Sequence, residues 1–138
     1  MARNKQIIIT AEDRDHLEEL LAGSFAEAFR DKPYMNDLRS ELSTAKIVEP
    51  SEFPFDVVTM NSTVRLKDMK RRATETFKLV YPDEANIAEG RLSILAPLGT
   101  AIFGYRVGDI IRWEILSGEG RWRVEEVVSQ PKRESIAV

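Results

Sequence analysis

The hydrophobic period of this chain changes once along its length, and a short segment with two prolines separates the two patterns. Before residue 48, apolar residues recur at three- and four-residue intervals, which is typical of a helix with one buried face. After residue 56, apolar and polar residues alternate, which is typical of a strand with one buried face. Pro50 and Pro54 lie between the two patterns, and proline ends helices because it lacks a backbone donor. We therefore predict an α+β fold, with helices first and a sheet after them.

The N-terminal part is predicted to form two helices, over residues 10–30 and 34–46. Thr10 is well placed to cap the first helix. Each helix has one apolar stripe, made of Leu17, Leu20, Leu21, Phe25, Ala28 and Phe29 in the first and of Met35, Leu38, Leu42 and Ala45 in the second. We expect the stripes to face each other, so that residues 1–48 form an antiparallel helical hairpin, a short coiled coil.

Residues 53–130 are predicted to form a sheet of about five strands with one short helix. The predicted strands cover residues 56–66, 74–81, 90–95, 109–116 and 121–130. The alternation of the last strand slips at Glu125 and Glu126, where we expect a β-bulge. Trp113 and Trp122 are expected to form a cross-strand pair or to lie in the core. Residues 131–138 are predicted to be a loose tail.

The apolar segment from Leu95 to Ile111 is predicted to contain the short helix. Pro97 suits a first helical turn, where a missing N–H costs little, and Gly104 suits a left-handed cap. The helix is therefore expected over residues 97–103. Its apolar side is expected to cover the sheet, through Leu98, Ala101, Ile102 and Phe103.

Composition excludes several kinds of site. The chain has no cysteine and one histidine, which excludes thiolate chemistry and a multi-histidine metal site within one chain. His16 has no nucleophile or second ligand near it in sequence, so a surface position is expected. The net charge of −3 argues against a dominant nucleic-acid-binding face. No signal peptide or membrane span is evident, and we expect a cytoplasmic protein with no membrane partner, no catalytic residue, no metal and no cofactor.

Three segments of the second part, "VVTMNS", "VYP" and "LAPLGTAIFGYRVGD", follow one another in an order and spacing that resemble a known family. They resemble the C-terminal domain of the bacterial transcript-cleavage factors GreA and GreB and, more specifically, the Rnk proteins, the regulators of nucleoside diphosphate kinase. The resemblance covers about residues 53–130 by motif, and the N-terminal helices by layout.

The resemblance implies an FKBP-like antiparallel sheet with one short helix, which docks on RNA polymerase near the entrance of the secondary channel. It also implies that the helical hairpin enters this channel, with nucleic acid, including DNA, only indirectly nearby. In GreA and GreB, two tip acids three residues apart hold a magnesium ion and promote RNA cleavage. Here Asp31 is followed at that offset by Tyr34, and Asp37 lies beyond the break. A polymerase-binding regulator without cleavage activity is therefore predicted.

Three groups of residues are candidate sites on this interpretation. Asp31, Tyr34 and Asp37 form the hairpin tip, and solvated turn acids are the alternative for both aspartates. The docking residues are Asn61, Ser62, Ala96, Pro97, Leu98 and Gly99, which alternatively only shape a strand–helix corner. The basic group is Arg65, Lys67, Lys70, Arg71 and Arg72. It is a candidate contact for RNA, DNA or an acidic patch of the polymerase, and a solvated hairpin end is the alternative.

Two other functions stay open from the sequence. One is a divergent cleavage factor that uses Asp31 or Asp37. The other is a prolyl isomerase, which would need aromatic side chains such as Trp113 and Trp122 around a cleft.

Overall fold

The structure, a computed structural model, describes residues 6–23, 27, 32–115 and 118–130. In chain order the elements are β1 (Ile8–Ile9), α1 (Ala11–Ala22), α2 (Pro33–Ser43), β2 (Lys46–Ile47), β3 (Thr63–Asp68), β4 (Ala73–Val80), β5 (Arg91–Ser93), α3 (Pro97–Ile102), β6 (Ile110–Ile115) and β7 (Gly118–Ser129). The predicted α+β class is confirmed, since two helices precede a five-stranded sheet. Within the described ranges, each helix falls short of the length and apolar content that a bilayer-spanning segment requires.

The five-stranded sheet has the order β5-β4-β3-β7-β6 and is mixed rather than antiparallel. β3 is antiparallel to β4 and β7, and β7 is antiparallel to β6. β5, however, runs parallel to β4, with Leu79 opposite Leu92. The prediction of an antiparallel sheet is wrong at this edge because the connection contains two 3-10 turns, Pro82–Glu84 and Ile87–Glu89, instead of a tight hairpin.

The β-bulge predicted in the last strand is confirmed. Arg65 lies opposite Glu126 and Leu66 lies opposite Val124, so Glu125 is the extra residue of β7. The register places Trp122 opposite Ile111 and Trp113 opposite Gly120, so the two tryptophans are not directly opposite each other. Trp122 is instead buried in the core, with its ring edge-on to Phe77 at 6.5 Å between centroids.

The first predicted strand, residues 56–66, is shorter than expected, because β3 begins only at Thr63. The Ser62 side chain accepts a hydrogen bond from the Thr59 amide, and Asn61 has a φ of 64°. This local turn competes with the extended conformation before β3. Val58 and Met60 are nevertheless fully buried, as the alternation predicted.

Both N-terminal helices end earlier than predicted. α1 ends at Ala22, where Gly23 leaves the helical conformation and its amide bonds to the Leu20 carbonyl. α2 ends at Ser43, and Lys46 belongs to β2, which pairs in parallel with β1. These two short strands were not predicted, because two residues are too few to show a period. Residues 24–26 and 28–31 lie outside the described part of the chain.

The helices share one hydrophobic core with the sheet, whereas the sequence predicted only that their two stripes face each other. Fully or almost fully buried side chains of both parts form a single cluster, which includes Ile7, Ile9, Leu17, Met35, Leu38, Leu42, Val64, Leu66, Leu79, Leu92 and Val124. The Tyr81 hydroxyl at the end of β4 also donates to Asp13 of α1 at 3.2 Å. Leu17 and its neighbours on α2 therefore pack as part of the sheet's core.

The short helix α3 covers this core as predicted. Ile102 and Phe103 are fully buried, and Leu98 and Ala101 pack against the same cluster. Gly104 follows the helix with a φ of 85°, the left-handed conformation expected of a helix-ending glycine.

Leu38→Ala should destabilise the sheet although Leu38 lies in a helix. Removal of a fully buried leucine side chain costs about 2–5 kcal/mol. Both tryptophans lie on strands, so their fluorescence during urea unfolding reports on the sheet. We expect Leu38→Ala to lower the fluorescence midpoint and the helical circular dichroism midpoint together.

Ile87→Ala is the matched control, because Ile87 is 64% exposed and its removal should change the unfolding free energy by less than about 0.5 kcal/mol. A helical transition that moves while the tryptophan transition stays in place would contradict a shared core.

Candidate functional site

The docking residues predicted from two distant segments flank the end of β4, one segment on each side. On one side, the Asn61 amide donates to the Leu79 carbonyl at 2.6 Å, and the Leu79 amide donates to the Ser62 carbonyl at 3.0 Å. On the other side, the Ile94 amide donates to the Val80 carbonyl at 2.9 Å. The two segments are therefore separated by one strand, or about 10 Å across two strand spacings. We call this surface the docking corner, formed by Asn61, Ser62 and residues 93–99.

A dense set of hydrogen bonds holds the chain at the docking corner. The Leu95 amide donates to the Ser93 hydroxyl at 3.0 Å, and the Ala96 amide donates to the Ser93 carbonyl at 3.0 Å. The hydroxyl of Thr100 in α3 donates back to the Ile94 carbonyl. Pro97 is exposed at the start of α3. The docking corner is thus a preformed surface and not an extended loop.

Gly99 sits where no side chain fits. A Cβ built on Gly99 would lie 2.0 Å from the carbonyl oxygen of Ser93 and 2.9 Å from its carbonyl carbon. These are backbone atoms, which cannot rotate aside as a side chain can. Gly99 is buried, so its observed role is the close approach of α3 to the end of β5.

Helix α2 contributes to the same corner. The Tyr34 hydroxyl donates to the Leu95 carbonyl at 3.3 Å, and its ring is half-buried against the core cluster. Burial raises the pKa of Tyr34, so the hydroxyl stays protonated and remains a donor. Asp37 is half-buried one turn further along α2. Asp31, the other predicted tip acid, lies outside the described residues.

The basic group lies along β3 and in the β3–β4 turn, which is at the end of β3 opposite to the docking corner. β3 runs from the docking corner to the β3–β4 turn, a distance of about 20 Å for its length. In that turn, Asp68 accepts hydrogen bonds from the amides of Lys70 and Arg71 and from the Arg71 side chain, the last at 3.0 Å. Burial acts against ionisation, but the bonds from Arg71 lower the pKa of Asp68 overall. Arg72 completes the turn with a φ of 58°.

The remaining members of the basic group project from the strand. Arg65 of β3 forms an ion pair with Glu126, which lies opposite it in the neighbouring strand β7. Lys67 lies opposite Arg123, which binds Glu125 at 2.6 Å, and this hydrogen bond lowers the pKa of Glu125. Carboxylates on the same surface therefore balance part of the positive charge, as expected of a solvated strand face.

The contact between Asp13 and Tyr81, which was not predicted from the sequence, ties α1 to the sheet beside the docking corner. Burial, followed by the charge and hydrogen bond of Asp13, raises the pKa of Tyr81, which is therefore a neutral donor. The exposed ring of His16 packs edge-on against Tyr81 at 5.5 Å between centroids. Tyr81 lies in the "VYP" motif and Asp13 in the first helical turn, but no local pattern pairs them.

No group of three or more histidine, aspartate or glutamate residues is arranged to hold a metal ion among the residues described. The docking corner contains no cation or carboxylate among its six predicted residues. Its small apolar and amide groups are suited to contact another protein surface and offer no general acid or base.

Comparisons with known proteins match both parts of the chain. Residues 44–129 match the family model described as transcription elongation factor, GreA/GreB, C-term, and residues 5–48 match the one described as Rnk N-terminus. The regulator of nucleoside diphosphate kinase from Escherichia coli strain K12 is 38% identical over 112 residues, which cover 81% of this chain and 80% of that protein. The transcription elongation factor GreA of Thermotoga neapolitana is 33% identical over 94 residues, covering 68% of this chain and 60% of that protein.

A solved structure shows the same fold over nearly the whole chain. The prokaryotic transcription elongation factor GreA/GreB from Nitrosomonas europaea superimposes with a TM-score of 0.77 at 37% identity. The match covers 91% of this chain and 100% of that one.

Gly99→Ala should destabilise the docking corner. The new methyl group collides with the Ser93 carbonyl, and overpacking of this kind costs about 3 kcal/mol, the upper part of its usual range. Thermal unfolding followed by circular dichroism measures the loss. Gly23→Ala is the matched control, because its Cβ would meet its nearest neighbour at an ordinary 3.5 Å and should change stability by less than about 0.5 kcal/mol. Equal stability of the two variants would show that α3 does not approach β5 this closely.

Proposed function

Because this chain belongs to the GreA/GreB family of transcription elongation factors, we propose that it binds RNA polymerase at the rim of the secondary channel and regulates elongation without stimulating RNA cleavage. The observation that carries this proposal is the convergence of both predicted docking segments at the end of β4. Residues that are more than thirty positions apart in sequence there form one preformed surface.

The chemistry of the docking corner supports a protein partner. Pro97 is exposed, Ala96 and Leu98 are half-exposed, and Asn61 adds an amide on the other side of β4, about 10 Å away. Such a surface buries small apolar groups with few polar ones, which is typical of protein interfaces. The hydrogen bonds of Ser93 and Thr100 hold it in place before binding, so little conformational entropy is lost on contact.

The absence of cleavage stimulation is proposed from Tyr34. Tyr34 occupies the position at which the family resemblance places the second tip acid, and its hydroxyl bonds to the Leu95 carbonyl. That position therefore packs against the docking corner and supplies no carboxylate for a magnesium ion. Asp37 is a half-buried carboxylate without a second acid at the required offset. We accordingly propose a regulator that is not an enzyme and needs no cofactor, with an FKBP-like sheet domain and its helices at the channel entrance.

The first test is direct binding to core RNA polymerase. Wild-type protein should be retained at micromolar concentration, and an added Gre factor should displace it. Leu98→Glu should weaken binding by roughly tenfold or more, since it places a carboxylate in the middle of the docking corner. Thr74→Glu is the matched control, because Thr74 is exposed on β4 at the end remote from the corner.

Two outcomes would contradict this proposal. The first is that the polymerase does not retain the wild-type protein at micromolar concentration. The second is that Thr74→Glu weakens binding as much as Leu98→Glu does. Far-UV circular dichroism of both variants establishes that each is folded.

The second test separates a non-cleaving regulator from a divergent cleavage factor. Stalled elongation complexes with backtracked RNA should show only the intrinsic cleavage rate when the protein is added, whereas a cleavage-active GreA accelerates the reaction in parallel. An acceleration by this protein that falls in Asp31→Asn or Asp37→Asn would establish the alternative function instead.

A further inference from the structure

A groove of about 660 Å³ lies at the start of α1 and along β2, and none of its lining residues belongs to the docking corner. Its lining includes Thr10 and Glu12 at the start of α1, and Ile47, Glu49 and Glu52 from β2 and the turn that follows. Ile47 is 40% exposed, so an apolar side chain meets solvent in a groove lined by three carboxylates and one ammonium group, that of Lys46.

The backbone of β2 offers hydrogen-bonding groups on the side away from β1. The Lys46 amide donates to the Ile7 carbonyl at 2.9 Å, and the Val48 amide donates to the Ile9 carbonyl at 3.0 Å. Alternate residues of a strand direct their backbone groups to opposite sides, so the N–H and C=O of Ile47 are directed away from β1. In the part of the chain that the structure describes, this sheet has two strands, and the edge at Ile47 has no partner strand. An extended peptide can pair with such an edge.

The C-terminal segment of this chain begins close to the groove. Gln130 is 2% exposed, and its side-chain amide donates to the carbonyls of Pro54 at 3.0 Å and Val57 at 2.6 Å. Pro54 is two residues from Glu52, which lines the groove. Fully extended, residues 131–138 reach about 26 Å from this anchor, which is ample to follow β2.

The sequence of residues 131–138, "PKRESIAV", complements the groove. Lys132 and Arg133 follow Gln130 within three residues. Their positive charges complement the carboxylates of Glu49 and Glu52, which lie on the Gln130 side of the groove. The side chains of alternate residues of an extended segment share one face, so Ile136 and Val138 would share a face. That apolar face could pack against the exposed side chain of Ile47.

We propose that residues 131–138 lie in this groove as an added strand beside β2, with the tail's backbone bonded to Ile47 and its basic pair facing Glu49 and Glu52. The tail then covers an edge that is otherwise open to pairing with other chains. This inference does not depend on polymerase binding, and its tests use the protein alone.

Amide hydrogen exchange read by NMR tests the proposal directly. The full chain is compared with a variant that ends at Gln130, after circular dichroism has shown that both are folded. The Ile47 amide should exchange roughly tenfold or more slowly in the full chain, because its bond to the tail must open first. The Val48 amide is bonded to β1 and should exchange equally in both proteins. Equal exchange of Ile47 in both proteins overturns the proposal.

Charge reversal tests the proposed contacts without shortening the chain. Lys132→Glu combined with Arg133→Glu should speed Ile47 exchange to the rate of the truncated protein. Lys32→Glu is the matched control, since Lys32 is exposed at the start of α2 and does not line the groove. Wild-type exchange in the double variant overturns the proposal.

A synthetic peptide distinguishes the tail from other basic segments. The peptide of residues 131–138, added to the truncated protein, should restore slow exchange at Ile47, and a peptide of the same composition in scrambled order should not. Equal protection by both peptides would mean that the groove accepts basic segments in general, which overturns the assignment to this tail.

Discussion

Burial of the helical apolar side chains on the sheet is the interaction on which the rest of this structure depends. Leu17 of α1 and Met35, Leu38 and Leu42 of α2 lie in one cluster with Val64, Leu66 and Leu79 of the sheet. Two helices of twelve and eleven residues are too short to be stable alone in water, so their stability must come from this contact. The sheet in turn gains a cover for its apolar face, which α3, with only six residues, covers in part.

This shared core explains how the docking corner is assembled. It brings α2 against the loop between β5 and α3, where the Tyr34 hydroxyl reaches the Leu95 carbonyl. It also brings α1 to the end of β4, where Asp13 accepts from Tyr81. Tyrosine hydroxyls are protonated donors at neutral pH, and burial raises the pKa of both Tyr34 and Tyr81 further above its usual value. The described parts of α1 and α2 are therefore tied to the sheet beside the docking corner.

The sequence predicted the features that depend on neighbouring residues. The alternation identified β4 and the bulge at Glu125, and the proline and glycine signals located α3, because each is a local preference. The motifs identified the family, and the docking role of Asn61, Ser62 and residues 96–99 stays a prediction. Features that depend on distant residues were not predictable in this way. The parallel pairing of β5, the pairing of β1 with β2, and the bond between Asp13 and Tyr81 join segments that are between thirteen and sixty-eight residues apart. That the stripes of α1 and α2 also pack on the sheet was not predictable either, since an amphipathic stripe can bury itself on a third surface as well as on another helix. The turn of the predicted hairpin lies outside the described residues.

Native-state hydrogen exchange at increasing urea tests the shared core most directly. The amides of α2 around Leu38 and Leu42 are compared with those of β3 around Val64 and Leu66, in the protein alone. If one core holds both elements, the slowest amides of α2 and β3 exchange with the same free energy of opening and the same dependence on urea. Exchange of all α2 amides at a clearly lower free energy, with β3 still protected, would show that the helices open independently and would contradict the account.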